Sequence, residues 1–389
     1  PNTSFLAPFP DYKLPTSIVT ESGFEQNGFD AAAFAWQSVK QDLQLPDILG
    51  FAPELVWPQI FSNELGLELS NSFLVAASAT TNKLLESSIL TYHYSSNRVA
   101  QYAKETIFVR DNSKRIAVNY RMLYQSERRK DNEGVIKFNF PTTTPYTYGH
   151  LLSLEFIQIV SLDDWSIDEV GGFLCRYTDV LQKLLGEEQV SAKLSKTRDK
   201  LPGKYFDIIP QNIVIREDGS VTVIDQEWEL PDDIDLGMCL FRSMLLLMSI
   251  VTRFGKNKQG VTYSRYQFIQ DAFQAAGFVF SRSDIDQYFE LETLAQSQIT
   301  GYPVEHFHSW SPEVLLPTEN LTSVLLSRTK EIKNLQVAEA ATRYAAKEHF
   351  DVAQERLNVI TMHLDVIRQK EDVIQQKELD IVALRQSSS

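Results

Sequence analysis

The chain has 389 residues, of which 43% are hydrophobic and 23% are charged, so it is long enough for two compact domains and an appendage. Its formal net charge of −14 argues against a nucleic-acid partner, because phosphate backbones bind to basic surfaces. No apolar run approaches the roughly 20 residues that a membrane span requires.

The first region, residues 1 to 90, begins with a segment rich in aromatic residues and proline. Two short strands are predicted after it. The uncharged run at residues 72–77 is predicted to be a buried strand, and Leu55 begins a short structured segment ahead of that run.

The second region, residues 91 to 318, is predicted to have strands first and helices later. Residues 106–110 and 115–120 predict a β-hairpin with a turn at residues 111–113. Ser166 is followed three residues later by Glu169, a capping-box pair that predicts a helix over residues 166–185. Further helices are predicted over residues 235–254 and 264–276.

The most informative stretch of the chain runs from Asp207 to Asp225. Asn212 follows Asp207 by five residues and leads into a β-branched strand at residues 213–215. The turn at residues 217–220 favours a hairpin, and the returning strand ends at Asp225. This layout is typical of a kinase catalytic centre. An ordinary hairpin with turn-capping Asp and Asn is the alternative.

Each of these residue types suits phosphoryl transfer from ATP, which needs positioning and charge more than covalent chemistry. Asp207 is predicted to be the catalytic residue that faces the acceptor hydroxyl. Asn212 and Asp225 are predicted to bind Mg²⁺, because hard oxygen ligands suit this ion.

Two further features of a kinase are only partly present. A kinase needs a strand lysine for the α- and β-phosphates, and the candidate strand, residues 115–121, offers Arg121 as the nucleotide-binding cation. Glu127, in a basic run at residues 126–130, is a candidate carboxylate partner for that cation, although a solvated helix face is the favoured interpretation of the run.

Tyr146 and Tyr148 are predicted to contact the nucleotide from the segment that joins two lobes. An aromatic loop without a ligand is the alternative for these tyrosines.

The third region, residues 319 to 389, has a different pattern. Ile360, Ile367, Ile374 and Ile381 recur at seven-residue intervals, which predicts a coiled coil. So much isoleucine in the seam favours a homotrimer. A single amphipathic helix packed on its own domain is the alternative.

Taken together, the three regions resemble bacterial O-antigen chain-terminating methyltransferase–kinases of lipopolysaccharide biosynthesis. Residues 8–15 (PFPDYKLP) and 70–75 (SNSFLV) are similar to the C-terminal part of a class I methyltransferase domain. Residues 206–212 (FDIIPQN) and 224–228 (IDQEW) are similar to the kinase motif of the same group, and the isoleucine heptads to its coiled coil.

The resemblance implies an α+β chain with three parts. The tail of a class I methyltransferase fold at residues 1–90 would precede a two-lobed protein-kinase-like fold at residues 91–318 and a coiled coil at residues 319–389. No methyltransferase activity is expected, because the chain lacks a glycine-rich turn that would hold S-adenosylmethionine.

The implied activity is transfer of phosphate from ATP, with Mg²⁺, to the terminal sugar hydroxyl of an O-antigen polysaccharide, which ends elongation and sets chain length. The implied partners are this glycan and a polysaccharide polymerase bound through the coiled coil. The two cysteines favour a cytoplasmic location, with only indirect association at the inner membrane.

Two alternatives to this function stay open. One is a pseudokinase scaffold of a glycan-assembly complex, favoured by the missing strand lysine and opposed by the Asp207, Asn212 and Asp225 set. The other is a kinase that acts on a small molecule.

Overall fold

The computed structural model of the chain describes residues 2–46, 49–79, 86–124, 134–190, 193–309, 312–318 and 321–387. Contacts divide the chain into two compact units, residues 1–319 and residues 320–389. The first unit mixes helices with a large antiparallel sheet, and the second is one long helix. The α+β class predicted from the sequence is therefore confirmed.

The strands all belong to the first unit. In chain order they are β1 (Asn2–Phe9), β2 (Ser17–Thr20), β3 (Leu74–Ser78), β4 (Ile89–Ser95), β5 (Lys104–Arg110), β6 (Ile116–Met122), β7 (Lys137–Phe138), β8 (Thr144–Pro145), β9 (His150–Leu151), β10 (Lys200–Leu201), β11 (Ile213–Ile215), β12 (Val221–Val223), β13 (Trp228–Glu229) and β14 (Ile234–Asp235).

The helices follow the same convention. They are α1 (Glu21–Glu25), α2 (Ala32–Trp36), α3 (Pro53–Ser62), α4 (Leu152–Ser161), α5 (Ile167–Glu187), α6 (Leu236–Ile250), α7 (Arg265–Ala275), α8 (Arg282–Thr300) and α9 (Leu321–Ser387).

The largest sheet in the described part of the chain has the strand order β3-β1-β2-β4-β5-β6-β8. The hairpin predicted over residues 106–120 is confirmed as β5 and β6, in which Ile107 lies opposite Asn119. The domain boundary predicted near residue 90 lies inside β4. Strands from both sides of it are joined, since β2 pairs with β4 and the hydroxyl of Ser17 lies 2.9 Å from Nδ1 of His93.

One strand prediction is wrong in its burial. Residues 72–77 were expected to form a buried strand, but β3 is an edge strand of the sheet, and Val75 is 58% exposed. An uncharged run predicts a strand without indicating whether the sheet continues beyond it. The structured segment that begins at Leu55 is part of a helix, α3.

The helix predictions are confirmed. Helix α5 begins with the predicted capping box, in which the Glu169 amide donates to the Ser166 hydroxyl and the Ser166 amide donates to the Glu169 carboxylate, at 3.3 and 2.7 Å. The helix expected over residues 264–276 is α7, and the helix expected over residues 235–254 is α6, which ends at Ile250, before the predicted end. Together with α4 and the three-stranded sheet β12-β11-β9 they enclose the larger hydrophobic core.

A buried ion pair crosses this core. Arg242 on α6 pairs with Glu292 on α8, and both side chains are at most 4% exposed. The Nε of Arg242 also donates to the carbonyl of Phe206 at 3.0 Å, and its guanidinium lies 3.9 Å from the centre of the Phe206 ring. This contact holds the backbone immediately before Asp207.

Helix α9 forms the second unit. It has 67 residues, and the isoleucines of the predicted seam that the structure describes, Ile360, Ile367 and Ile374, are each more than half exposed. Within the described residues, no helix has the length and apolar character needed to cross a membrane.

Asp235, at the start of α6, joins three segments of the first unit. Its carboxylate pairs with Arg198 and with Lys200, each at 2.8 Å, and accepts a hydrogen bond from the Tyr288 hydroxyl at 3.1 Å. Desolvation acts to raise the pKa of Asp235, but the hydrogen bonds from Lys200, Arg198 and Tyr288 outweigh it, and the pKa is lowered.

Replacing Asp235 with asparagine is expected to lower the free energy of unfolding at pH 7 by about 2 kcal/mol, because two cations lose their shared partner. A lowered folded-state pKa means that this contribution is complete above the unfolded-state pKa and is lost as pH falls through the folded-state value. Urea unfolding of Asp235→Asn and the wild type should therefore differ at pH 7 and converge in acid. The control, Asp233→Asn, changes an exposed carboxylate nearby and should have no effect. An equal loss in both variants would contradict the assignment.

Candidate active site

The hairpin predicted around residues 213–224 is confirmed as β11 and β12, in which Ile213 lies opposite Val223. Asn212 immediately precedes β11, and the amide of Ile224 donates to the Asn212 carbonyl at 2.8 Å. Asp225 follows directly. The hairpin therefore brings Asn212 and Asp225 to the same end, as the sequence pattern predicts.

Asp207 lies in a 3-10 turn, Gly203–Asp207, next to this end of the hairpin. Its side chain is buried, and Oδ2 accepts hydrogen bonds from the backbone amides of Glu227 at 2.8 Å and Trp228 at 3.1 Å. The Asn212 side-chain amide donates to the Asp207 carbonyl at 2.9 Å. Asp207, Asn212 and the segment after Asp225 are thus joined by direct hydrogen bonds.

The environment of Asp207 favours its protonated form. Burial raises the pKa of its carboxyl to about 7, although the charge of Arg242 acts in the opposite direction. At neutral pH the carboxyl is therefore present in both forms, which suits a group that takes up a proton and releases it.

Asp225 has an unusual backbone conformation. Its φ is 52°, in the left-handed region that residues other than glycine rarely adopt. Such conformations cluster at functional sites, where surrounding structure compensates for the strain. The side chain is 39% exposed, so it is partly open to solvent.

Lys104, the first residue of β5, is the partner of this carboxylate, and the sequence pattern did not identify it. Its side chain is 1% exposed and pairs with Asp225, and its Nζ lies 2.9 Å from Oε1 of Glu227. Desolvation acts to lower the pKa of Lys104, but the Asp225 and Glu227 carboxylates outweigh it and raise the pKa. For Asp225, desolvation acts to raise the pKa, and the charge of Lys104 outweighs it, so the carboxylate stays ionised.

The structure places Arg121, the predicted nucleotide-binding cation, differently. Arg121 is 68% exposed and pairs at 2.6 Å with Glu105, the residue opposite it on β5. Lys104 lies on the strand next to the one that was expected to carry the cation. The strand predicted from the sequence begins at residue 106, two residues after this lysine. Glu127 and the basic run at residues 126–130 lie outside the described residues.

The two candidate tyrosines are in different environments. The hydroxyl of Tyr146 accepts a hydrogen bond from the Asp30 amide at 3.0 Å, and its ring lies 5.2 Å from that of Phe29. Burial raises the pKa of Tyr146. Tyr148 is 50% exposed. Tyr146 therefore packs against the N-terminal region, and Tyr148 presents an exposed ring.

The residues at the hairpin end fit a hard divalent cation in part. Asn212 and the ionised Asp225 provide oxygen donors, and the side-chain oxygen of the adjacent Gln211 is buried with no hydrogen-bond partner among the described residues. The described part of the chain holds no group of three or more His, Cys, Asp or Glu side chains suited to a metal. A cation here would therefore take its other ligands from bound phosphates or water, as Mg²⁺ commonly does.

Glu227 and Arg98 complete the set of charged groups. Arg98 pairs with Oε2 of Glu227 at 2.8 Å, and its guanidinium lies 5.4 Å from the centre of the Trp228 ring. Glu227 is 1% exposed, and it lies between two cations because one carboxylate oxygen pairs with Arg98 and the other with Lys104. The site thus combines two buried carboxylates, Asp207 and Glu227, with a partly exposed one, Asp225.

Comparison of the chain with protein-family models, with curated proteins and with solved structures found no match.

Proposed function

We propose that the chain is an ATP- and Mg²⁺-dependent phosphotransferase that acts on an alcohol group, with a protein-kinase-like fold over residues 91–318. The observation that carries this proposal is the pairing of buried Lys104 with Asp225 at the end of the β11–β12 hairpin. A strand lysine beside a strand-terminal aspartate, with an asparagine across the hairpin, is the set of groups that kinases use to hold ATP and its metal.

Each residue has a role in this proposal. Lys104 binds the α- and β-phosphates, and Asn212 and Asp225 hold Mg²⁺, which when bound neutralises charge on the phosphates. Asp207 orients the acceptor hydroxyl and accepts its proton, and a pKa of about 7 is close to the best value for a general base at neutral pH. Tyr148, rather than the packed Tyr146, is the accessible ring for contact with the nucleotide.

The proposed acceptor is the terminal sugar hydroxyl of an O-antigen polysaccharide, so that phosphorylation sets chain length in the cytoplasm at the inner membrane. The resemblance of residues 206–212 and 224–228 to chain-terminating kinases supports this choice. The exposed isoleucines of α9 support a homotrimer that binds a polysaccharide polymerase through a coiled coil, because such a stripe is normally covered by partner helices.

Lys104 also bears on the scaffold alternative. The absence of lysine from residues 115–121 was the feature that favoured a pseudokinase. A buried lysine that pairs with Asp225 supplies the cation from β5 instead. Catalysis is therefore better supported than a purely structural role.

Replacing Asp225 with asparagine is expected to weaken Mg²⁺·ATP binding at least roughly tenfold, because one metal ligand loses its charge. Asparagine is chosen because it tolerates the left-handed backbone at this position. Calorimetric titration with ATP, with and without Mg²⁺, measures the effect. Glu217→Ala, at the far end of the same hairpin, is the control and should bind as the wild type does. Equal binding by Asp225→Asn and the wild type would exclude this metal site.

Asp207→Asn is expected to slow phosphorylation by roughly 10² to 10⁴-fold while nucleotide binding is kept, because the amide cannot accept the hydroxyl proton. Its oxygen can still accept the hydrogen bonds from Glu227 and Trp228. Transfer of labelled γ-phosphate from ATP to O-antigen polysaccharide measures the rate. A variant that phosphorylates at the wild-type rate would show that Asp207 is not the base.

A truncation that ends near residue 330 is expected to convert a trimer to a monomer, because it removes the apolar stripe of α9. Size-exclusion chromatography with light scattering gives the mass in solution. In the full chain, Ile367→Lys should have the same effect because it places a charge in the seam. Gln369→Lys is the matched control outside the seam. If the truncated chain keeps its mass, the coiled coil does not hold the oligomer together.

A further inference from the structure

We propose that Glu227 is the positioning residue for Lys104, holding the ammonium group at the nucleotide site while Asp225 binds the metal. This inference rests on the proposed function, since it assigns the part that an otherwise unexplained buried carboxylate takes in that site. Glu227 itself touches neither nucleotide nor metal in this arrangement and acts through Lys104.

The two carboxylates that contact Lys104 differ in accessibility. The side chain of Asp225 is 39% exposed, whereas that of Glu227 is 1% exposed. A ligand that enters from outside the protein meets Asp225 first. Glu227 is covered and stays in contact with Lys104 when the Asp225 carboxylate takes a metal.

Glu227 is also held more firmly than Asp225. Its Oε2 pairs with Arg98 at 2.8 Å, which leaves Oε1 for Lys104 at 2.9 Å. Its backbone amide donates to Asp207 at 2.8 Å. Two side-chain contacts and one backbone contact therefore determine where the carboxylate lies.

A buried ammonium group needs such a partner. An ion removed from water is strongly destabilised unless an opposite charge remains beside it. If Asp225 were the only carboxylate partner of Lys104, no protein carboxylate would hold the lysine in position once Asp225 takes the metal. Because Glu227 stays in contact with Lys104, Asp225 can bind the metal while the lysine keeps a carboxylate partner.

In protein kinases the partner of the strand lysine is a glutamate on a helix. In this chain the partner is Glu227, which follows Asp225 by two residues in the same segment. One short segment would thus carry a metal ligand and the group that positions the phosphate-binding lysine, and its backbone would orient Asp207.

The test is a double-mutant cycle on Mg²⁺·ATP affinity, measured by calorimetry on the full chain. Lys104→Met and Glu227→Gln are each expected to weaken binding at least roughly tenfold. The double variant should bind no more weakly than Lys104→Met alone, because Glu227 has no effect once its lysine is gone. Glu229→Gln, two residues further on, is the matched control and should bind as the wild type does.

The outcomes separate the two proposals. If the wild type binds no nucleotide, the proposed function fails. If the wild type binds and Glu227→Gln binds equally well, the positioning role is overturned and the proposed function stands. The same conclusion follows if the loss of binding free energy in the double variant equals the sum of the losses in the two single variants.

Thermal melting shows whether each variant folds. If Glu227→Gln does not fold, the cycle is run with Glu227→Asp, which keeps the charge but withdraws it by one methylene group. This variant should weaken binding in the wild-type background and have no effect in the Lys104→Met background. Wild-type affinity in Glu227→Asp would overturn the inference.

Discussion

The burial of one lysine constrains the whole site. Lys104 has almost no exposed surface, and an ammonium group can occupy such a position only beside carboxylates. Both of its carboxylate partners lie on the segment that follows β12. The ion pairs of Lys104 with these carboxylates therefore hold the seven-stranded sheet against the hairpin that carries Asn212 and Asp225. Loss of the charge on either side would leave a buried charge without a partner. A buried pair of this kind adds little net stability, but removal of one partner typically costs about 3–5 kcal/mol. It therefore determines where the two parts meet more than how strongly they bind.

A second buried pair acts on the other side of Asp207. Arg242 and Glu292 join two helices, and Arg242 also binds the carbonyl of Phe206. Asp207 thus follows directly after the carbonyl that Arg242 binds. Its side chain accepts hydrogen bonds from the backbone amides of Glu227 and Trp228, in the segment that pairs with Lys104. Its carboxyl is positioned from both directions, and the burial that raises its pKa is a direct result of this packing.

Local patterns in the sequence predicted much of this structure. The capping box at Ser166 and the hairpin around Asn212 and Asp225 depend on residues within a few positions of one another, and both are present. Lys104 was not predicted, because Asp225, its partner, lies 121 residues further along the chain. The burial of β3 was predicted wrongly for a related reason, since strand order depends on pairing between distant segments. Arg121 was a reasonable candidate by residue type, but the register of β5 and β6 gives it Glu105 as a partner.

The sheet that crosses residue 90 limits how this chain can be divided. Because β2 pairs with β4, a cut at that point would leave a row of unpaired backbone groups along β4, and such edges promote association with other strands. It would also separate Ser17 from His93. Chimeric proteins that take the hairpin and its surroundings from this chain would therefore need to carry residues 1–319 as a single piece. Within this unit, the N-terminal strands and the strands after residue 90 belong to one sheet, so they are not separable modules.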